Sequence, residues 1–166
     1  MKRWLARIAL CLPLTAAMPV HALEAGAPAP TLSAPDRAHR DVTLAQFKGK
    51  VVYVDFWASW CAPCREAMPA LDTLYQRYRE RGLVVLGVNV DTDRLPAQRM
   101  LEHYQPTFPV LFDPQGKWPE AFGLKDMPSG YLIDAQGVIR FVKRGYRPQD
   151  LLSLETTIKA ALGEPQ

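Results

Sequence analysis

Two nearly continuous apolar runs dominate the hydrophobic pattern of the chain, and a helical pattern lies between them. Residues 51–57 and 83–90 are almost entirely apolar, which is typical of strands that are buried on both faces of a sheet. Residues 65–80 carry apolar side chains three or four positions apart, as on one face of a helix, and Gly82 offers a common helix end. The order strand, helix, strand predicts a right-handed βαβ unit with two parallel strands.

The rest of the pattern predicts shorter elements on both sides of this unit. Upstream, these are an edge strand near residues 31–33, a short strand at 41–43 and a turn of helix at 44–47. Downstream, they are a helix at 95–104, a strand at 109–112, a helix at 117–122, hairpin strands at 129–133 and 138–143, and a last helix opened by Pro148. A mixed sheet between helices follows, so we expect an α/β fold.

The first 22 residues have the layout of a secretory signal peptide. Three basic residues precede a short apolar stretch at 8–17, and Val20-His21-Ala22 supplies small residues before a cleavage point. The apolar stretch is too short and too interrupted by proline for a membrane span, so we expect cleavage and a periplasmic mature chain, with an uncleaved N-terminal anchor as the alternative. Residues 23–35, rich in Ala and Pro, are expected to form a lead with little structure before one domain at 36–166.

Removal of this segment changes both the charge and the cysteine content. The formal net charge of +3 comes from its three basic residues, because the remaining Lys and Arg equal the 17 Asp and Glu in number. A near-neutral mature chain favours neither nucleic acid nor an anionic membrane surface as a partner. Of the 3 cysteines, Cys11 leaves with the segment, and only Cys61 and Cys64 remain. An exported chain whose only cysteines form one short pair is expected to use them for chemistry rather than as a structural staple.

Cys61 and Cys64 stand two residues apart, directly after a predicted strand and at the start of a predicted helix. The free N–H groups and the dipole of a helix N-terminus stabilise the thiolate of the first cysteine, while the second, one turn on, can close a disulfide with it. A purely structural disulfide over so short a loop would contribute only about 2 kcal/mol. A zinc site would need further ligands, and covalent haem attachment would need His where Arg65 stands. We therefore expect thiol redox chemistry with no metal and no cofactor.

The segment Val54-Asp55-Phe56-Trp57-Ala58-Ser59-Trp60-Cys61-Ala62-Pro63-Cys64 resembles the active-site segment of thioredoxin almost residue for residue. Met127-Pro128 stands at the place of that family's cis-proline loop. The N-terminal lead and the helix–strand segment at about 95–122 are similar to the exported TlpA/ResA branch of thiol–disulfide oxidoreductases. The resemblance implies a thioredoxin-like fold, in which a central mixed sheet is flanked by helices, with an N-terminal extension and a central helix–strand insertion.

The resemblance also implies a role for each residue around the cysteine pair. Cys61 is expected to be the exposed attacking thiolate, and Cys64 the buried resolving thiol that breaks the mixed disulfide. Pro128, in the cis form, is expected to pack beside the thiols. The backbone of Met127 would pair with an extended substrate peptide, and Trp60 would give that partner an apolar contact.

Asp55 places a carboxylate in an otherwise apolar strand. Burial makes its charged form costly, so we expect its pKa to be raised. It matches the buried acid of thioredoxin, which implies that it helps to move the proton of Cys64. The chain departs here from the ResA-like pattern, which often has Glu three residues after the second cysteine, where this chain has Ala67. Glu66 lies one helix step earlier, a rotation of about 100°, and is expected to face water.

Together these features indicate an exported thiol–disulfide oxidoreductase that reduces disulfides in other exported proteins, with cytochrome c maturation as one use. The resemblance implies protein disulfides as substrates, a membrane thiol donor of the DsbD or CcdA type, and a monomer. A disulfide-forming oxidant and a peroxiredoxin-like thiol peroxidase are the alternatives. A peroxidase would have Thr or Ser three residues before its reactive cysteine and Pro further upstream, whereas Ala58 and Val54 stand upstream of Cys61.

Overall fold

The computed structural model describes residues 22–163, which form a five-stranded mixed sheet with helices on both faces and a two-stranded N-terminal hairpin. The elements in chain order are β1 (Ser33–Pro35), β2 (Asp41–Thr43), β3 (Val51–Trp57), α1 (Ala62–Tyr78), β4 (Leu83–Asn89), α2 (Arg94–Tyr104), β5 (Val110–Phe112), α3 (Lys117–Phe122), β6 (Ser129–Ile133), β7 (Ile139–Arg144) and α4 (Asp150–Ala161). Short 3₁₀ helices at Leu44–Phe47 and Arg79–Arg81 precede β3 and β4. Between residues 22 and 163, no helix is long and apolar enough to cross a membrane. The predicted signal peptide lies outside the described residues, apart from Ala22.

The central strand of the sheet is β3, and the strand order is β5-β4-β3-β6-β7. It pairs in parallel with β4 on one side and antiparallel with β6 on the other. All 7 of its residues are buried, because both faces of the sheet are covered at this point. The predicted βαβ unit, the hairpin of β6 and β7, and the thioredoxin-like fold class are thereby confirmed.

Successive residues of β3 point to opposite faces, so this strand contributes to two separate cores. The first core lies under α1, α2 and α4 and includes Tyr53, Trp57, Cys61, Cys64, Met68, Leu71, Met100, Leu154 and Ile158. The second core lies under α3 and the N-terminal residues and includes Ala34, Val52, Val54, Phe56, Trp118 and Phe122. Asp55 falls between Tyr53 and Trp57 in the alternation of the strand, so its side chain points to the first core, which also holds both cysteines.

The N-terminal lead is more ordered than its composition predicts. The N–H of Gly26 donates to the carbonyl of Ile139 at 2.8 Å, and the N–H of Ile139 donates to the carbonyl of Ala27 at 2.9 Å. Only Ser33–Pro35 of this lead forms a strand, and these backbone contacts are what the expectation of little structure at residues 23–35 left out. That expectation rested on local composition, whereas the edge strand β7 offers unpaired backbone groups that the lead can bind.

Two predicted boundaries are displaced by two residues. The first strand lies at Ser33–Pro35 rather than 31–33, since the turn that pairs it with β2 is fixed by Asp36. The carboxylate of Asp36 accepts the backbone N–H of Arg40 at 2.9 Å and so closes that turn. The last helix begins at Asp150, and Pro148 lies in the turn before it.

Candidate functional site

The two cysteines lie where β3 ends and α1 begins, and their sulfur atoms form a disulfide. Cys61 is the N-cap residue of α1, and its sulfur accepts a hydrogen bond from the backbone N–H of Cys64 at 3.3 Å. Pro63 occupies the first turn, where the missing N–H is tolerated because such donors have no partner within the helix. The positive end of α1 therefore faces the Cys61 sulfur and favours its thiolate when the pair is reduced.

Both cysteines are nearly buried, which differs from the predicted exposure of Cys61. The exposed fraction is 4% for Cys61 and 2% for Cys64. The Cys61 sulfur lies at the first turn of α1, where the N–H of Cys64 donates to it, and the residue belongs to the first core together with Trp57 and Ala58. The expected exposure of Cys61 is therefore wrong for the oxidised chain.

A buried polar cluster at the end of β4 holds the loop that leads to the cysteines. The carboxylate of Asp91 accepts the backbone N–H of Ser59 at 3.0 Å and its hydroxyl at 3.1 Å. The side-chain N–H of Asn89 donates to the same carboxylate at 2.8 Å. On the other side, the guanidinium of Arg65 donates to the carbonyl of Ser59 at 3.2 Å. Sequence reasoning missed this cluster, although two polar residues directly at the end of an apolar strand were its signal.

Asp55 lies in the middle of β3 and is 4% exposed. Its Oδ1 atom has no hydrogen-bond partner. Burial raises the pKa of Asp55 to about 7, against a smaller lowering by the ammonium group of Lys143. A pKa in this range lets the group both accept and return a proton at neutral pH.

Two charged residues near the site differ in burial and in whether the sequence predicted their position. Glu66 is exposed on α1, as expected from its position one helix step before Ala67. Lys143 is buried in β7, and sequence reasoning did not identify it. Its approach to Asp55 depends on the pairing of β6 with β7, which the apolar pattern of a single strand does not reveal.

The Met127–Pro128 peptide bond is cis, as the resemblance implies. The next residue, Ser129, pairs with Phe56, so the proline loop lies beside the end of β3 from which the cysteine loop emerges. The carbonyl of Pro128 accepts the N–H of Gly145 at 2.8 Å, which anchors the loop to β7. Among the described residues, no hydrogen bond engages the backbone N–H of Met127.

Trp60 carries apolar surface next to the disulfide. Its side chain is 67% exposed, and within residues 22–163 only Leu95 and Leu152 are other large apolar side chains with comparable exposure. An exposed indole next to a reactive cysteine offers a partner a large apolar contact. In this part of the chain, no group of three or more His, Cys, Asp or Glu side chains is placed to hold a metal ion.

Comparisons with known proteins agree on one family. The redoxin family model matches residues 24–162. The chain is 33% identical over 124 residues to the thiol-disulfide oxidoreductase ResA of Geobacillus thermodenitrificans, covering 75% of this chain and 71% of that protein. A crystal structure assigned as a thiol:disulfide interchange protein DsbE from Chlorobium tepidum is similar with a TM-score of 0.82 and 39% identity, over 86% of this chain and 100% of that chain. The thioredoxin domain of a thiol-disulfide oxidoreductase from Bacteroides vulgatus gives 0.75 and 26% identity, over 82% and 99%.

Proposed function

The chain belongs to the redoxin family and is a thiol–disulfide oxidoreductase of the ResA and DsbE type, and from this premise we propose that it is exported and reduces disulfides in other exported proteins. The observation that carries the proposal is the position of Cys61 at the N-cap of α1, with the N–H of Cys64 directed at its sulfur. A sulfur held in this way is stabilised as an anion, so Cys61 is the nucleophile of the pair.

The first step is attack of the Cys61 thiolate on one sulfur of a substrate disulfide. A bond forms between that sulfur and Cys61 Sγ, the substrate S–S bond breaks, and the other substrate sulfur leaves as a thiolate. Substrate and enzyme are then joined by a mixed disulfide.

The second step releases the substrate through Cys64. Its thiol gives up a proton, and the resulting thiolate attacks Cys61 Sγ, so that the Cys61–Cys64 disulfide forms and the second substrate sulfur leaves. Asp55 takes this proton, since its side chain points to the core that holds Cys64 and its pKa of about 7 permits proton uptake at neutral pH. Two electrons have passed from the cysteine pair to the substrate.

The substrate would dock along the proline loop as an extended peptide. The unpaired N–H of Met127 can bind a peptide carbonyl as a neighbouring strand would, while Pro128 has no N–H of its own to compete. Trp60 would cover the other side of the disulfide with apolar surface. Binding through backbone groups would accept many sequences around the disulfide.

The reducing direction is supported by Asp55 and by the N-terminal segment. A buried acid with a raised pKa disfavours an extremely stable thiolate nearby, and such a thiolate is what makes a strong oxidant. The signal-like layout of residues 1–22 supports export to the periplasm, with an uncleaved anchor as the alternative. An oxidising compartment would leave the pair oxidised, so the protein would draw electrons from a membrane thiol donor of the DsbD or CcdA type. Cytochrome c maturation is one process that needs such a reductant, and we expect the protein to act as a monomer.

Trapping of substrates tests the proposal. Cys64→Ala leaves Cys61 able to attack but removes the thiol that releases the substrate, so mixed disulfides should accumulate in the cell envelope. Cys61→Ala is the matched control, because it keeps Cys64 and lacks the nucleophile. We expect partner proteins linked to Cys61 and released by dithiothreitol in the first variant alone. Trapping by neither variant, or equally by both, would contradict the proposed roles.

A further inference from the structure

Lys143 is the only buried lysine among the residues that the structure describes. It lies in β7 with an exposed fraction of 3%, and its Nζ has no hydrogen-bond partner. Its Nζ lies over the ring of Tyr146, 4.8 Å from the ring centroid. A buried ammonium group without a hydrogen-bonded partner costs stability, so its position calls for a physical reason.

The register of the sheet places Lys143 in one row with Asp55. Asp55 pairs with Gly130 of β6, and Gly130 pairs with Lys143 of β7. Directly paired residues of antiparallel strands point to the same face, so both side chains face the core that holds the cysteines. Two strand spacings, about 10 Å, separate the two backbones.

The neighbours of Asp55 in the sheet carry no side chain. Gly87 of β4 lies on one side of it and Gly130 of β6 on the other. At Gly130 an added Cβ would collide with the hydroxyl of Tyr53, so this ring occupies the space above the glycine. Tyr53 Oη, Asp55 Oδ1 and Lys143 Nζ all lack a hydrogen-bond partner. Among the described residues, no ion pair joins Lys143 to Asp55, and the Tyr53 ring lies over the glycine between them. Lys143 is the cation whose charge acts on Asp55 across this row.

The charges around Lys143 act in a consistent direction. Burial raises the pKa of Asp55, and the ammonium of Lys143 lowers it. Burial lowers the pKa of Lys143, and the carboxylate of Asp55 raises it. The charge of Asp150 in α4 also raises the pKa of Lys143 and of Tyr53, but the Asp150 carboxylate is held by Arg147 at 3.0 Å. Asp55 and Lys143 thus favour each other's charged form.

We propose that Lys143 is a positioning residue of the exchange reaction, whose ammonium holds Asp55 as the carboxylate that takes the proton of Cys64. The proposal rests on the proposed function, in which Cys64 releases the substrate. The Cys64 proton passes to an oxygen of Asp55, the Cys64 thiolate attacks Cys61 Sγ, and the bond between Cys61 and the substrate sulfur breaks. The substrate leaves as a thiolate, and Lys143 keeps its own proton throughout.

A pH profile of product release tests this role. The probe is a mixed disulfide between Cys61 and thionitrobenzoate, whose release by Cys64 is followed by stopped-flow absorbance. Lys143→Met keeps the length of the side chain, removes its charge and should move the profile to higher pH. A shift of one unit lowers the ionised fraction of Asp55 at pH 7 from about one half to about one tenth, so release becomes about fivefold slower.

The controls separate charge from packing. Lys143→Arg keeps the charge and should retain the wild-type profile, while Lys48→Met removes the charge of an exposed lysine and should change nothing. In an Asp55→Asn background, Lys143→Met should have no further effect, because the group on which it acts is gone. An unmoved profile in Lys143→Met, or an equal loss with and without Asp55, would overturn the proposal.

Lys143 can also be observed directly, so the test does not depend on the folding of Lys143→Met. The NMR resonances of its Cε or Nζ should show a step near pH 7 as Asp55 ionises, and that step should vanish in Asp55→Asn. Absence of the step in the wild type would overturn the proposal. If the wild type cannot release thionitrobenzoate, the proposed function is contradicted. If the wild type releases it normally and the Lys143 variants keep the same pH profile, only the role of Lys143 is contradicted.

Discussion

Replacement of Asp55 by Asn removes a carboxyl group whose burial makes the folded chain sensitive to pH. Burial raises the pKa of this group from 3.8 to about 7. Between these two values the folded chain retains a proton that the unfolded chain has lost, so the wild type loses stability as the pH rises through this window. A difference of about three units corresponds to about 4 kcal/mol. Asn cannot ionise, so the variant escapes this loss.

Urea unfolding of the oxidised wild type and of Asp55→Asn, at about pH 4 and about pH 8, measures the effect. Asn has nearly the shape of a protonated carboxyl group, so the two proteins should have similar free energies of unfolding at the lower pH. At the higher pH the variant should be more stable by up to about 4 kcal/mol, the value worked from the pKa difference. Asp41→Asn, at an exposed position of β2, is the matched control and should show no such dependence. A stability difference that is the same at both pH values would refute the reasoning.

Three further predictions concern the reaction and the N-terminus. Asp55→Asn should slow release of a mixed disulfide about 10²- to 10⁴-fold through loss of general-base help, and an unchanged stopped-flow rate between about pH 6 and 9 would remove this residue from the mechanism. In the reduced protein at neutral pH, Cys61 should be alkylated faster than Cys64, because the N-terminal end of α1 favours its thiolate. Peptide mapping after brief iodoacetamide treatment measures labelling at both sites, and faster labelling of Cys64 would reverse their roles. Protein isolated from the cell envelope should begin at or near Leu23 by intact-mass analysis, and retention of residues 1–22 would favour an anchor.

The elements that could be predicted from the sequence are those whose hydrophobic pattern shows which of their faces are buried. The run at Val51–Trp57 is apolar at nearly every position because β3 has neighbours on both edges and cores on both faces. Asp55 was recognisable for the same reason, since a carboxylate in such a run is conspicuous. The cysteine pair was recognisable because two thiols at this spacing before a helix have few other uses.

The residues that could not be predicted depend on contacts between distant parts of the chain. Lys143 lies in a half-polar strand, and only the pairing of β3 with β6 and of β6 with β7 brings it to Asp55. Asp91 acts on Ser59 across 32 positions, through a loop conformation that no local pattern encodes. The burial of Cys61 could not be predicted because the helix position alone does not reveal that the cysteine pair joins the first core with Trp57.

The reduction potential of the Cys61–Cys64 pair tests the central claim, that the protein is a reductant, most directly. Equilibration of the pure protein with dithiothreitol and glutathione buffers, followed by quantification of the thiol and disulfide forms, gives this potential. We predict a value nearer the roughly −270 mV of thioredoxin than the roughly −120 mV of the strong oxidant DsbA. A value above about −150 mV on the same scale would mean that the protein forms disulfides, and would contradict the proposed function.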